Sequence, residues 1–221
     1  MPSIVVVGAN WGDEGKGRIV DFLAENASAS IRFQGGNNAG HTVVNDFGTF
    51  KLHQLPSGIF NPDCIAVLGP GMVISPAALS EEIAEVNAAG VDVKLCISDR
   101  ATLCLPLHAL EDTLEEVRLG DAAYGSTRQG IAPAYGDRVM KKGILVGWLN
   151  QPDVLLERIQ FMLDWKMPQL KALYPSCDFS QTAEQMTEWL LAVSAPWREF
   201  ICNVTEPLKA LQKQDANLLF E

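Results

Sequence analysis

Short apolar runs rich in β-branched residues recur through the first two-thirds of the chain, each followed by a turn and then by a stretch of helical spacing. Residues 3–8, 30–33 and 65–68 have the compact hydrophobic character of buried strands. Residues 42–45 and 49–55 flank Asp46-Phe47-Gly48, which predicts a hairpin with glycine in the third turn position. Residues 76–89 have helical periodicity, with Ser75 as the expected N-cap and Gly90 as the stop. A further strand over 93–97 and a helix over 107–119, ended by Gly120, continue the alternation. Strand–helix alternation of this kind predicts an α/β fold with a mainly parallel sheet and flanking helices.

The pattern changes at Pro152. Residues 153–166, 181–193 and 197–214 all have helical spacing, punctuated by Pro168, Pro175 and Pro196. The chain is then expected to return to the sheet with a strand over 217–220. The expected organisation is one α/β domain over 1–221, with a core over 1–149 and a helical subdomain over 150–214. Trp165, Trp189 and Trp197 fit core anchors better than a base-stacking platform. No internal repeat or low-complexity segment interrupts this reading.

Candidate chemistry concentrates in two glycine-rich turns. Residues 8–17 read GANWGDEGKG, between the first apolar run and a helical stretch. A strand, a glycine-rich turn and a helix in that order gather free backbone N–H groups at the positive end of a helix, which suits phosphate. The architecture is therefore P-loop-like and nucleotide-binding. Lys16 adds a point charge, but the segment is not a Walker A loop. Six residues separate Gly8 from Gly15, and Gly17 stands where a hydroxyl would reach a metal. Asp13 and Glu14 would repel phosphate unless one of them holds a metal or handles a proton.

The second turn, residues 34–42, reads QGGNNAGHT and follows the second expected strand. Its glycines allow close backbone approach, its amides can read a base or phosphate edge, and His41 can exchange a proton near neutral pH. In parallel sheets ligands sit beyond the carboxyl ends of strands, where both turns fall.

Composition narrows the setting. With 221 residues and 48% hydrophobic content, the chain can bury one substantial core. Five scattered cysteines without a C-x-x-C pair suit reduced thiols better than a disulfide framework or a zinc site. A strand beginning at Ser3 leaves no room for a signal peptide, and no apolar run approaches the ~20 residues of a membrane helix. A cytoplasmic protein without a membrane partner is expected. The formal charge of −10 disfavours nucleic-acid binding and requires anionic ligands to be held by local donors.

The two turns together resemble the adenylosuccinate synthetase family. Supporting stretches are HQLPSGI at 53–59, LGPG at 68–71, SPAAL at 75–79 and GSTRQGIAPAYGDR at 125–138. The likeness is in register to about residue 149 and weaker beyond. It implies GTP-dependent ligation of IMP and L-aspartate through a 6-phosphoryl-IMP intermediate, a step of de novo AMP biosynthesis, with Mg2+ as the metal and a homodimer as the assembly. It also implies catalytic roles for Asp13, His41 and Lys16. Asp13 matches the base that takes the N1 proton of IMP, and His41 the acid that hydrogen-bonds the phosphoryl group. Asp13 and the Gly40 carbonyl match the magnesium contacts, a hard-oxygen set that explains a carboxylate among phosphate donors. Gly12, Asp13, Glu14, Gly15, Lys16, Gly17, Arg18, Gly40, His41 and Thr42 match GTP contacts. Asp13, Glu14, Gly15, Lys16, Asn38, Ala39, Gly40, His41, Thr127 and Lys141 match IMP contacts.

The chain also departs from the family. Arg128 and Gln129 stand for a glycine and an arginine. Lys141 replaces an arginine that reaches the neighbouring subunit's IMP phosphate, keeping the charge and losing the bidentate fork. The sequence stops at Glu221, about halfway through a typical member, before the family's guanine-reading and aspartate-binding segments. Two other readings follow: a catalytically silent nucleotide-binding or regulatory fragment, and a ligase acting on a changed purine.

Overall fold

A computed structural model describes residues 3–9 and 16–221. In chain order, β1 (Ser3–Val5) leads to α1 (Lys16–Ala24), followed by β2 (Ala29–Gly35) and the β3 (His41–Asn45)–β4 (Gly48–Leu52) hairpin. Then come β5 (Ile65–Ile74), α2 (Pro76–Ala88), β6 (Leu95–Ser98), β7 (Thr102–Leu103), α3 (Pro106–Leu119) and α4 (Ile131–Val139). The chain closes with α5 (Pro152–Leu173), α6 (Ala183–Ser194), β8 (Ile201–Cys202), α7 (Thr205–Lys213) and β9 (Leu218–Phe220). The main sheet runs β1-β9-β2-β5-β6-β8, with β7 beside the end of β5, and every pairing in it is parallel. The expected α/β class and parallel sheet are therefore present.

Parallel pairing puts the carboxyl ends of β1, β9, β2 and β5 on one edge of the sheet. β2 and β5 approach each other unusually closely there. Their register shifts between Arg32 and Gln34, opposite Gly69-Pro70-Gly71. A Cβ on Gly71 would lie 2.2 Å from the Phe33 carbonyl oxygen, so only glycine fits. The hairpin covers this end of the sheet with one face. Val43, Phe50 and Leu52 are buried in the main core, while Val44 stands 70% exposed on the other face.

One apolar cluster joins the sheet to its helices. It runs from Leu68, Ile74 and Ile97 through Leu79, Ile83 and Val86 of α2 to Leu155, Ile159 and Met162 of α5 and Leu190 of α6. Trp197 anchors it, fully buried, with its indole N–H donated to Ser80 Oγ at 2.9 Å.

Three local expectations are corrected, and one helix, α4, was not expected. Residues 197–214 are not one helix: a short turn, strand β8 and α7 replace it, because β8 pairs with β6 and an Asn203 side chain restarts the helix by accepting the Thr205 N–H. Pro168 does not end a helix, since α5 runs through it to Leu173. Asp164, whose carbonyl loses a partner, and Pro168 both face solvent, while the buried stripe Leu163, Lys166, Leu170 continues uninterrupted. Helix α4 was hidden by Gly130, Pro133 and Gly136; Pro133 lies in the first turn, where its missing N–H costs nothing. Ser75 occupies the N-cap of α2 without a side-chain cap bond, and its N–H is taken by Gln54 Oε1 at 2.8 Å.

Candidate functional site

The start of α1 meets the second glycine turn at the carboxyl edge of the sheet. Lys16, Gly17 and Arg18 form the first turn of α1, and residues 36–40 connect β2 to His41, the first residue of β3. A Cβ on Gly17 would lie 2.7 Å from the His41 Cβ, so the start of α1 packs directly on His41. Lys16, Gly17, Arg18, Asn38, Ala39, Gly40, His41 and Thr42 are thereby gathered at one place. Gly12, Asp13, Glu14 and Gly15, on which the base and most of the phosphate cradle were expected, lie outside the described residues.

Two backbone positions of the second turn are pinned from below. A Cβ on Gly36 would lie 2.7 Å from Ile131 Cδ1, and one on Gly40 would lie 2.7 Å from His53 Cε1. His53 is in turn held by the Arg32 guanidinium, which donates to its carbonyl, and by Glu82. The buried Glu82 carboxylate accepts the backbone N–H groups of His53, Gln54 and Leu55 at 3.0–3.1 Å. Burial pushes its carboxyl above the ordinary range, and those three donors only partly offset the shift.

His41 is held by Ser57. Its Nε2 lies 3.0 Å from Ser57 Oγ. Burial, together with the nearby charges of Arg32 and His53, lowers its pKa to about 4, so the ring is neutral at pH 7. Glu221 lies behind, with Oε1 accepting from Ser57 N–H and Ser30 Oγ–H, both at 3.3 Å. Burial raises the Glu221 carboxyl against the opposing influence of Arg32.

The third segment reaches the same edge by different contacts. Asn37 Nδ2 donates to Gln129 Oε1 at 3.0 Å, and the Tyr135 hydroxyl accepts the Gly35 N–H at 2.8 Å while donating to the Gly71 carbonyl at 2.8 Å. Two carboxylates of α3 fix this loop's backbone. Asp112 accepts the Gly130 N–H at 2.9 Å, and Glu116 accepts those of Tyr124 and Gly125 at 3.1 Å. Thr127 is exposed on the loop so held, beside Arg128, which takes a left-handed φ of 58°. Lys141 stands beyond the opposite end of α4 with a φ of 61°, away from Thr127 in its own chain.

A buried ion network underlies this loop. The Asp137 carboxylate accepts from His108 Nε2 at 3.0 Å and from Lys166 Nζ at 2.8 Å, and Lys166 also pairs with Glu111 at 2.6 Å. Burial alone would raise the Asp137 carboxyl, but the two hydrogen-bonded partners outweigh it and hold it below the ordinary range.

Sequence reasoning did not assign roles to Ser57, Glu82, Asp112, Glu116, Tyr135 or Glu221. Glu82 left a signal, since it falls on the same buried stripe as Leu79, Ile83 and Val86. Among the described residues no group of three or more acidic, histidine or cysteine side chains could hold a metal, and no helix is long and apolar enough to cross a membrane. The five cysteines are free thiols.

The family model for adenylosuccinate synthetase matches residues 5–221. "Adenylosuccinate synthetase 2" of Pseudoalteromonas translucida is 95% identical over all of this chain, which covers 53% of that relative. A synthetase of Dehalococcoides mccartyi is 41% identical, with 52% of its length covered. Among solved structures, the fully ligated adenylosuccinate synthetase of Plasmodium falciparum superposes with a TM-score of 0.81 at 30% identity, covering 99% of this chain and 50% of that one. The chain thus spans about half the length of these relatives. A family-model match across nearly the whole chain establishes that this chain belongs to the adenylosuccinate synthetase family.

Proposed function

We propose that this chain supplies the phosphate-binding and phosphoryl-transfer half of a GTP-dependent ligase that joins IMP to L-aspartate. The carrying observation is the packing of Gly17 against His41, which places a helix N-terminus, a lysine and a neutral imidazole at one point of the sheet edge. Phosphoryl transfer depends chiefly on positioning and charge stabilisation, and this arrangement offers both.

In this reading Asp13 takes the N1 proton of IMP and makes its 6-oxygen nucleophilic. His41 donates a hydrogen bond to the γ-phosphoryl group as it moves from GTP, and Lys16 offsets the developing charge. Thr127, on the loop anchored by Asp112 and Glu116, binds the IMP phosphate. Lys141 reaches the phosphate site of a partner subunit in a homodimer. L-aspartate then displaces phosphate from the purine, the step that completes the ligation in de novo AMP biosynthesis. A cytoplasmic setting fits the five free thiols.

The residues present suit Mg2+. The Gly40 backbone is fixed against the His53 ring with a hard carbonyl oxygen, and Asp13 would add a carboxylate. When bound there, the ion supplies charge neutralisation for the phosphates.

A silent nucleotide-binding fragment is the competing reading. Calorimetry with IMP, beside an assay with IMP, GTP, Mg2+ and aspartate, separates the two. Binding with turnover supports the ligase, binding without turnover supports the fragment, and no binding of IMP or GTP defeats both.

A further inference from the structure

Ser57 is only 2% exposed and opens a short turn, Ser57–Phe60, that has little freedom to move. Gly58 is backed by Ser30 Cβ and Cys64 Sγ, 2.6 and 2.8 Å from where its own Cβ would be. The Ser57 N–H is committed to Glu221, and the Phe60 ring packs 4.6 Å from Phe50 of the hairpin that begins at His41. Hydroxyl and imidazole are therefore presented to each other by two elements locked in place.

With an ordinary pKa near 6.5, an imidazole is mainly neutral above about pH 7 and then has one proton for two nitrogens, and its hydrogen-bond partners decide which nitrogen carries it. Among the described residues the Ser57 hydroxyl has one partner, His41 Nε2. If Nε2 kept the proton, it would donate to Ser57, and the buried Ser57 O–H would be left without an acceptor among the described residues, which is costly. The opposite arrangement satisfies both groups: Ser57 donates, Nε2 accepts, and the proton resides on Nδ1. Only that form presents an N–H on the ring's remaining nitrogen. The other form presents a lone pair, which repels phosphoryl oxygens.

We propose that Ser57 is a positioning residue that holds His41 as the Nδ1–H tautomer, the form able to donate to a phosphoryl oxygen. The functional consequence rests on the reading of His41 given above; the tautomer itself does not. Thr substitution preserves the device, and Ala substitution removes it.

The test is a long-range 15N–1H correlation spectrum of the uniformly labelled chain at neutral pH, without ligand. The chain has three histidines, and His108 is an internal reference of opposite sense. Its Nδ1 accepts the Leu105 N–H at 2.9 Å and its Nε2 faces Asp137, so its proton is on Nε2. His41 is expected to show a protonated Nδ1 and a bare Nε2. Ser57→Ala should move the His41 pattern toward Nε2–H while the His108 signals stay unchanged, and Ser57→Thr should restore it. A wild-type His41 that is Nε2–H or doubly protonated overturns the inference, as does a Ser57→Ala spectrum that keeps Nδ1–H. The wild-type spectrum alone decides if the alanine variant does not fold. An Nδ1–H ring in a chain that binds neither IMP nor GTP would sink the functional reading and leave the tautomer assignment standing.

Discussion

Glu82 and Asp137 are both sealed from water, yet their carboxyl groups are shifted in opposite directions. Glu82 accepts hydrogen bonds from backbone N–H groups, with a smaller influence from His53, and its burial wins. Asp137 meets Lys166 and His108, and the hydrogen bonds and charge they bring win instead. The two carboxylates do parallel jobs: one ties down the 53–55 segment under His41, the other secures α4 and its preceding loop against α3 and α5. Hydrogen bonds from backbone donors thus hold a loop at the cost of an awkward buried charge, whereas a hydrogen-bonded cation makes the same kind of anchor favourable to ionise.

The largest expected effect comes from breaking the cationic anchor. Asp137→Asn removes the charge that faces Lys166, and disrupting a buried pair costs about 3–5 kcal/mol. Urea unfolding should show that loss, and a change below about 1 kcal/mol would mean that Glu111 alone satisfies Lys166. Glu82→Gln should cost less, roughly 1–3 kcal/mol, because its amide retains one acceptor oxygen while its NH2 confronts backbone donors. Amide shifts confined to residues 53–55 and His41 would confirm where the loss falls. Tyr135→Phe, which removes the hydroxyl bridging Gly35 and Gly71, should cost about 1 kcal/mol and loosen the exchange of the Gly35 amide. An unchanged exchange rate there would show that the hydroxyl pins nothing.

The smallest effect is a slope with pH, but its sign separates the two anchors. Asp137 has a folded pKa below its ordinary 3.8, so its contribution is complete above that value and is lost as pH falls toward the folded pKa. The gap between wild type and Asp137→Asn should therefore close in acid. Glu82 has a folded pKa above its ordinary 4.5, so its contribution is present below 4.5 and falls as pH rises through the folded value. The gap to Glu82→Gln should narrow in that direction. His41 adds a third window, with stability falling as pH drops from 6.5 to about 4 because the unfolded ring takes the proton first. Parallel slopes for Asp137→Asn and Glu82→Gln would contradict the contrast between the anchors.

The parallel sheet, the turn after β2, the hairpin and most helix positions were legible because each is written in a local period or a turn residue. The failures have local causes too. The 131–139 helix carries a proline and a glycine that its first-turn position and open surroundings make harmless. The 197–214 segment has helical spacing throughout, but pairing of Ile201 and Cys202 with β6 overrode it. Of the candidate site, His41 and Gly40 stood out in the sequence, whereas Ser57 and His53, which pack against them, did not. Ser57 looks like an ordinary turn serine until its hydroxyl is seen at His41.

The amino-acid order by itself determined which residues carry reactive groups and where the chain turns, since helix, strand and turn signals span only a few positions. Tertiary structure alone decided which polar groups would be buried together. The partners Ser57 and Glu221 lie 164 positions apart, and Gly35 and Tyr135 lie 100 apart. Such pairs exist only because the fold brings distant segments to one edge, where desolvation favours donors that meet acceptors.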